Sequence, residues 1–139
     1  MNIAIIYGGR SSSCPKLEKL SKALAKGLEE QSHMVKVLNA YVDTDQRLSY
    51  FDFIIVGSEP MGLLSAKVPE QIRNFLRVVP GAGGKRCLSF ISGGLRANGT
   101  LQNLMKIMET EGMFLTVSEV IGKEGEAYAL GKHLKLERY

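Results

Sequence analysis

The chain has 139 residues, 45% of them hydrophobic and 23% charged, the make-up of one soluble globular domain with enough Leu, Ile, Val and Met to close a core. Its 18 lysines and arginines against 14 acidic residues give a formal charge of +4, but they are spread along the sequence with no basic block and no interleaved aromatics, so the signature of a nucleic-acid binder is missing. No apolar run approaches the roughly 20 residues of a membrane helix and no leader is visible, while Cys14 and Cys87 form neither a disulfide framework nor a zinc pattern; the expectation is one cytoplasmic domain over 1–139 with free thiols.

Along the chain the apolar pattern changes period several times, and Gly, Pro, Asn or Ser marks each change. The run IAIIY at 3–7 reads as a buried strand. Leu17, Leu20, Leu24 and Leu28 then recur at helical spacing, which predicts a helix over about 15–31. Pro15 sits near its first turn, where the missing N–H costs nothing, and Lys16, Glu18, Lys19, Lys22, Lys26, Glu29 and Glu30 take the outer face. A second strand at 34–38 is followed by a polar connection through Asp43 and Gln46 and a third strand at 53–56, ended by Gly57 and Ser58.

Val68, Ile72, Phe75, Leu76 and Val79 share one helical face, closed by Pro80, Gly81 and the Gly83-Gly84 turn. The fourth strand is 86–92, ending in Gly93 and Gly94. Leu101, Leu104, Met105 and Met108 form a third helical stripe that Gly112 stops, and a strand at 114–121 and a helix at 126–136 complete the order. Several strands are near-continuous apolar runs, which implies burial on both faces: an α/β fold with a mostly parallel sheet between two layers of helices.

In such a sheet ligands bind beyond the carboxyl ends of the strands, beside the point where strand order reverses. That rule selects the loops at 8–15, 57–67 and 92–99, all rich in glycine and short polar residues. The first leads into a helix whose initial N–H groups are unpaired, and the helix dipole favours an anion there by about 0.3 to 1 kcal/mol. Ser11, Ser12 and Ser13 can add hydroxyl donors, enough to hold a phosphate without lysine. The plainer alternative is that one serine caps the helix and the others face water. His33 and His133 assemble no metal cluster and no Ser-His-Asp set.

The stretch IAIIYGGRSSSCPKLEKL resembles the first strand, phosphate loop and first helix of flavodoxin-like proteins, whose loop follows a Thr/Ser-x-Thr-Gly-x-Thr pattern. Ser11 falls on a hydroxyl position, Ser12 on the family's glycine and Cys14 on its last threonine. VGSEPMGLLSAKVPEQIRNFL resembles the family's flavin-contacting loop and the helix after it, and FISGG the strand and loop on the other side of the flavin. The likeness implies a doubly wound five-stranded parallel sheet of order 2-1-3-4-5 and non-covalently bound FMN.

By that likeness the loop of Ser11, Ser12, Ser13 and Cys14 holds the phosphate, and Gly9 and Arg10 before it also contact the cofactor. Ser58, Glu59, Pro60, Met61, Gly62 and Leu63 take one side of the ring, and Ser92, Gly93, Gly94, Leu95 and Asn98 the other, with backbone groups near Gly57, Gly62 and Gly93 tuning its potential. The sequence departs from the family at Ser12, whose side chain would crowd the anion or force an unfavourable backbone angle, and at Cys14, a poorer donor than threonine. Met61, Leu63, Leu64 and Leu95 stand where aromatics commonly cover the ring.

The implied role is electron transfer to a redox partner protein or small-molecule acceptor, as a carrier or a flavin-dependent oxidoreductase. A flavin-free interaction module and an NAD(P)H-dependent FMN or quinone reductase are the alternatives. A thiol at a helix N-terminus has a lowered pKa, but the phosphatases that use one place an arginine six residues on, where this chain has Leu20; Cys14 is left with packing or weak donation. The response-regulator version needs acidic residues where this chain has Gly8, Gly9, Gly57 and Ser58.

Overall fold

In a computed structural model, which describes residues 1–136, the first strand (β1, Asn2–Gly8) is bonded along both edges. The second strand (β2, Met34–Asn39) runs parallel on one side from Asn2↔Met34 to Tyr7↔Asn39. The third (β3, Phe53–Ser58) runs parallel on the other from Ile3↔Phe53 to Gly8↔Ser58. Beyond it lie β4 (Arg86–Ile91) and β5 (Phe114–Val120), also parallel, so the sheet has the expected order 2-1-3-4-5.

Parallel pairing needs crossovers, and α1 (Pro15–Glu30), α2 (Glu70–Val78) and α3 (Ala97–Thr110) supply three of them; the connection from β2 to β3 has no α-helix, and α4 (Glu124–His133) follows β5. Alternate strand residues face opposite layers. Ile3, Ile5, Phe53, Ile55, Leu88 and Phe90 pack under α1 and α4, whereas Ala4, Ile6, Ile54, Val56, Cys87 and Ile91 pack under α2 and α3. The adjacent residues Cys87 and Leu88 thus enter different cores, and burial pushes the Cys87 thiol up to about 12.

Strand ends and the first helix agree with the sequence expectation to within one or two residues, and three other departures stand out. The second helix starts at Glu70, because Pro69 restricts Val68 to an extended backbone; Val68 still packs on the core. The last helix starts two residues early and ends at His133 instead of 136: Glu126 Oε1 accepts from the N–H of Gly122 at 3.2 Å and of Lys123 at 3.0 Å, satisfying donors at the helix start. The polar connection before β3 contains a 3-10 turn, Leu48–Tyr50, which carries the buried Leu48 into the core. Residues 137–139 of the expected domain lie outside the described residues.

The layer of α1 and α4 rests on a close crossing. A Cβ on Gly27 would lie 2.3 Å from the Tyr128 carbonyl oxygen, and one on Gly131 2.3 Å from that of Leu24, so both helices need a bare backbone here. Elsewhere in a helix Gly→Ala gains about 1 kcal/mol of propensity. Here Gly27→Ala and Gly131→Ala each destabilise by about 1–3 kcal/mol or more through overpacking, read as a lower urea midpoint at unchanged slope.

Candidate functional site

The direction in which strands are added reverses between β1 and β3, and beyond their carboxyl ends a crevice of about 330 Å³ opens. The buried Ser58 hydroxyl donates to the Gly8 carbonyl at 2.6 Å, and the Ser92 N–H donates to the Ser58 carbonyl at 3.1 Å, which locks the ends of β1, β3 and β4 together. Arg10, Lys16, Glu59, Pro60, Gly62, Leu63, Ser92, Gly93 and Gly94 line the opening.

Two of its loops form the apolar half. The Met61 N–H donates to the Lys67 carbonyl at 3.2 Å, and Asn103 Nδ2 of α3 donates to the Ala66 carbonyl at 2.8 Å, so this loop is pinned at its base. Gly93 and Gly94 have φ of 117° and 121°, a region that glycine alone enters without strain. A Cβ on Gly94 would come within 3.0 Å of Pro60 Cγ, whereas the space over Gly93 is open. Leu63 on the wall is 76% exposed, a large apolar side chain left in water in a concave site, and Leu95, next in sequence to the lining Gly94 but outside the lining itself, is 72% exposed.

The first loop is built differently. The residue before α1 is Cys14, which makes no side-chain cap bond, and Ser11 donates its hydroxyl to the Ser13 carbonyl at 2.9 Å. The three serines are exposed, as the plainer alternative had it, but the expected serine cap is replaced by a cysteine. Asn39 Nδ2 holds the Ser12 carbonyl at 3.0 Å and Tyr41 Oη holds that of Gly9 at 2.7 Å. Ser12 is not strained: among the described non-glycine residues only Ser32 has a positive φ.

Into this loop reaches a carboxylate from the second. Glu59 Oε1 accepts from the Arg10 N–H at 2.9 Å and lies 3.5 Å from Arg10 Nε, with the Glu59 side chain 19% exposed. A Cβ on Gly9 would stand 2.6 Å from that oxygen and 2.8 Å from Cys14 Cβ, so the bare backbone of Gly9 makes room for both. Burial pushes the Cys14 thiol up; a hydrogen bond from the Gly9 backbone pulls it down, and the Glu59 and Glu18 carboxylates push it up again. The thiol packs with Tyr7 and Leu17, unlike the exposed, lowered thiol of a nucleophile. Burial, then Cys14 and Glu59, also raises the Tyr41 hydroxyl.

Of the residues expected at the site, the crevice brings together Arg10, Glu59, Pro60, Gly62, Leu63, Ser92, Gly93 and Gly94. Gly9 and Ser58 lie buried beneath it, Met61 and Leu95 are exposed, and Asn98 is exposed in the first turn of α3, outside the lining. Gly57 belongs to the sheet: it is buried in β3, where a Cβ would stand 2.1 Å from the Phe90 ring. Lys16 on the wall and the Asn39 and Tyr41 supports were not anticipated. The rule that selected the other loops applies equally to the end of β2, where Asn39 and Tyr41 stand.

No protein-family model matches the sequence, and no curated protein matches it. Solved structures do match. A flavodoxin from the domain Archaea superposes with a TM-score of 0.72 at 21% identity, over 95% of this chain and 94% of that one. The fold is flavodoxin-like. Oxidised flavodoxin 1 from Bacillus cereus (TM-score 0.68, 15% identity, 97% of this chain and 100% of that one) and two-electron reduced Megasphaera elsdenii flavodoxin (0.69, 17%, 94% and 96%) agree over the same extent. Among the described residues this flavodoxin-like chain has no group of three or more His, Cys, Asp or Glu placed to hold a metal, and no helix long and apolar enough to cross a membrane.

Because Tyr41 Oη is tied to the loop backbone, Tyr41→Phe lowers stability by about 0.5–1.5 kcal/mol. Amide exchange at Gly9 and Arg10 speeds up in that variant, while exchange in the β1 core stays slow.

Proposed function

We propose that the crevice binds FMN non-covalently and that the protein passes electrons between the flavin and a redox partner protein or small-molecule acceptor. The observation that carries this reading is the pairing of a switch-point crevice with an exposed leucine, Leu63, on its wall. A flat apolar ring entering between Pro60–Leu63 and Gly93-Gly94 would cover Leu63 and Leu95, and full burial of one such side chain is worth about 1.5–3 kcal/mol.

The residues present suit the ring better than the phosphate. The open space over Gly93 and at Gly62 lets the backbone come close to a ligand edge, where N–H and carbonyl groups orient it by hydrogen bonds. Leu63, Leu95 and Met61 exclude water from its faces, and methionine packs well against aromatic surfaces. The exposed Ser12 and Ser13 would offer hydroxyls to the phosphate, Ser11 only on giving up its bond to the Ser13 carbonyl, with Lys16 adding positive charge on the wall and Arg10 already paired with Glu59. Bound flavin supplies the one- or two-electron chemistry. With a charge of +4, the protein suits an acidic partner.

A second reading, a flavin-free interaction module, is favoured by one observation: the Glu59 carboxylate already occupies the Arg10 N–H of the first loop. Titration with FMN separates the two. FMN fluorescence is quenched on binding, and ligand at about a hundred times its Kd raises stability by about 2.7 kcal/mol, several degrees in Tm. Leu63→Ser weakens FMN while leaving the Tm of the free protein nearly unchanged, since Leu63 is exposed. No quenching and no Tm shift at millimolar FMN overturns the flavin reading in favour of the module.

A further inference from the structure

We infer that Glu59 is the resident anion of the first loop and a built-in competitor for the phosphate of FMN, so that flavin affinity comes from the ring and the phosphate adds little to it. This rests on the flavin reading above. Three observations carry it. The Glu59 carboxylate takes the Arg10 N–H at 2.9 Å and sits 3.5 Å from Arg10 Nε, using a backbone donor and a cation that an entering anion would want. It is only 19% exposed, held over Gly9 in space that any other residue's Cβ would fill. And it comes from β3's loop, on the ring side of the crevice, so one side chain links the two halves of the site.

A phosphate approaching the first loop therefore meets a like charge at close range in a partly desolvated place, where repulsion exceeds the pull of a helix N-terminus. To bind there, it must turn Glu59 outward and take over Arg10. Riboflavin, with no phosphate, leaves the Glu59–Arg10 contact intact. The carboxylate acts as negative selection against the phosphate-bearing ligand, not as a contact for either.

Glu59→Gln tests this, because it keeps the size of the side chain and an oxygen to accept from Arg10 while removing the charge. Wild type and variant are titrated with FMN and with riboflavin by fluorescence, and with inorganic phosphate by the NMR shift of the Arg10 amide. The expected result is FMN tighter by about tenfold or more in the variant, riboflavin unchanged, and the Arg10 amide moving at correspondingly lower phosphate. A merely structural role for the Glu59–Arg10 pair would move both flavins together.

Equal FMN affinity in the two proteins, or weaker FMN in the variant, overturns the inference. If neither flavin binds either protein, it is the flavin reading that falls, and the phosphate titration decides the role of Glu59. A response at lower phosphate in Glu59→Gln upholds it, and identical responses overturn it.

Discussion

The pairing of β1 on both edges is the constraint from which the rest of the structure follows. A strand bonded on two sides and covered on two faces must be apolar wherever it is covered: past the exposed Asn2, Ile3, Ala4, Ile5 and Ile6 are all fully buried. Parallel neighbours on both edges force the chain to cross over the sheet, and right-handed crossovers to either side of β1 send α1 to one face and α2 to the other. The connections at the carboxyl ends of β1 and β3 consequently diverge. The crevice is the gap they leave, and the Ser58–Gly8 bond fixes its width.

The two halves of that gap are chemically unlike. One offers leucines in water and unobstructed glycine backbone; the other offers a loop whose Arg10 N–H and guanidinium are already engaged by Glu59. Magnitudes decide which feature governs an incoming phosphate. The helix N-terminus attracts it by about 0.3–1 kcal/mol, whereas two unit charges 4 Å apart near a protein surface repel by roughly 4 kcal/mol before screening and before the Arg10 guanidinium paired with Glu59 offsets part of it. The carboxylate therefore outweighs the dipole until it is displaced. Displacement gives up a charge-assisted hydrogen bond worth about 1.5–3 kcal/mol. Ligand contacts with the ring have to supply the affinity.

Much of this was legible in the sequence, and the reason is periodicity. Leu17, Leu20, Leu24 and Leu28 recur at helical spacing, and the IAIIY and FIIV runs are long enough to require two-sided burial. Glycines marked the loops because Gly93 and Gly94 need positive φ. What escaped was set by contacts distant in sequence. Glu59 reads in isolation as a loop carboxylate facing water, and only the fold brings it 49 positions back to Arg10. Tyr41 reaches the Gly9 carbonyl across 32 positions. The helix starts at Glu70 and Glu124 shifted for local reasons, Pro69 in one case and the Glu126 cap in the other, that hydrophobic spacing does not encode.

The most direct test of the account is where a flavin ring touches the molecule. Amide shifts in a two-dimensional nitrogen–proton NMR spectrum, followed as riboflavin is added, report this without involving the phosphate. The largest shifts are expected at Gly62, Leu63, Ser92, Gly93 and Gly94, with Arg10 little moved. Shifts concentrated instead in the groove between α2 and α3 lined by Arg73, Arg77 and Lys106, or along the lysines of α1, would contradict it.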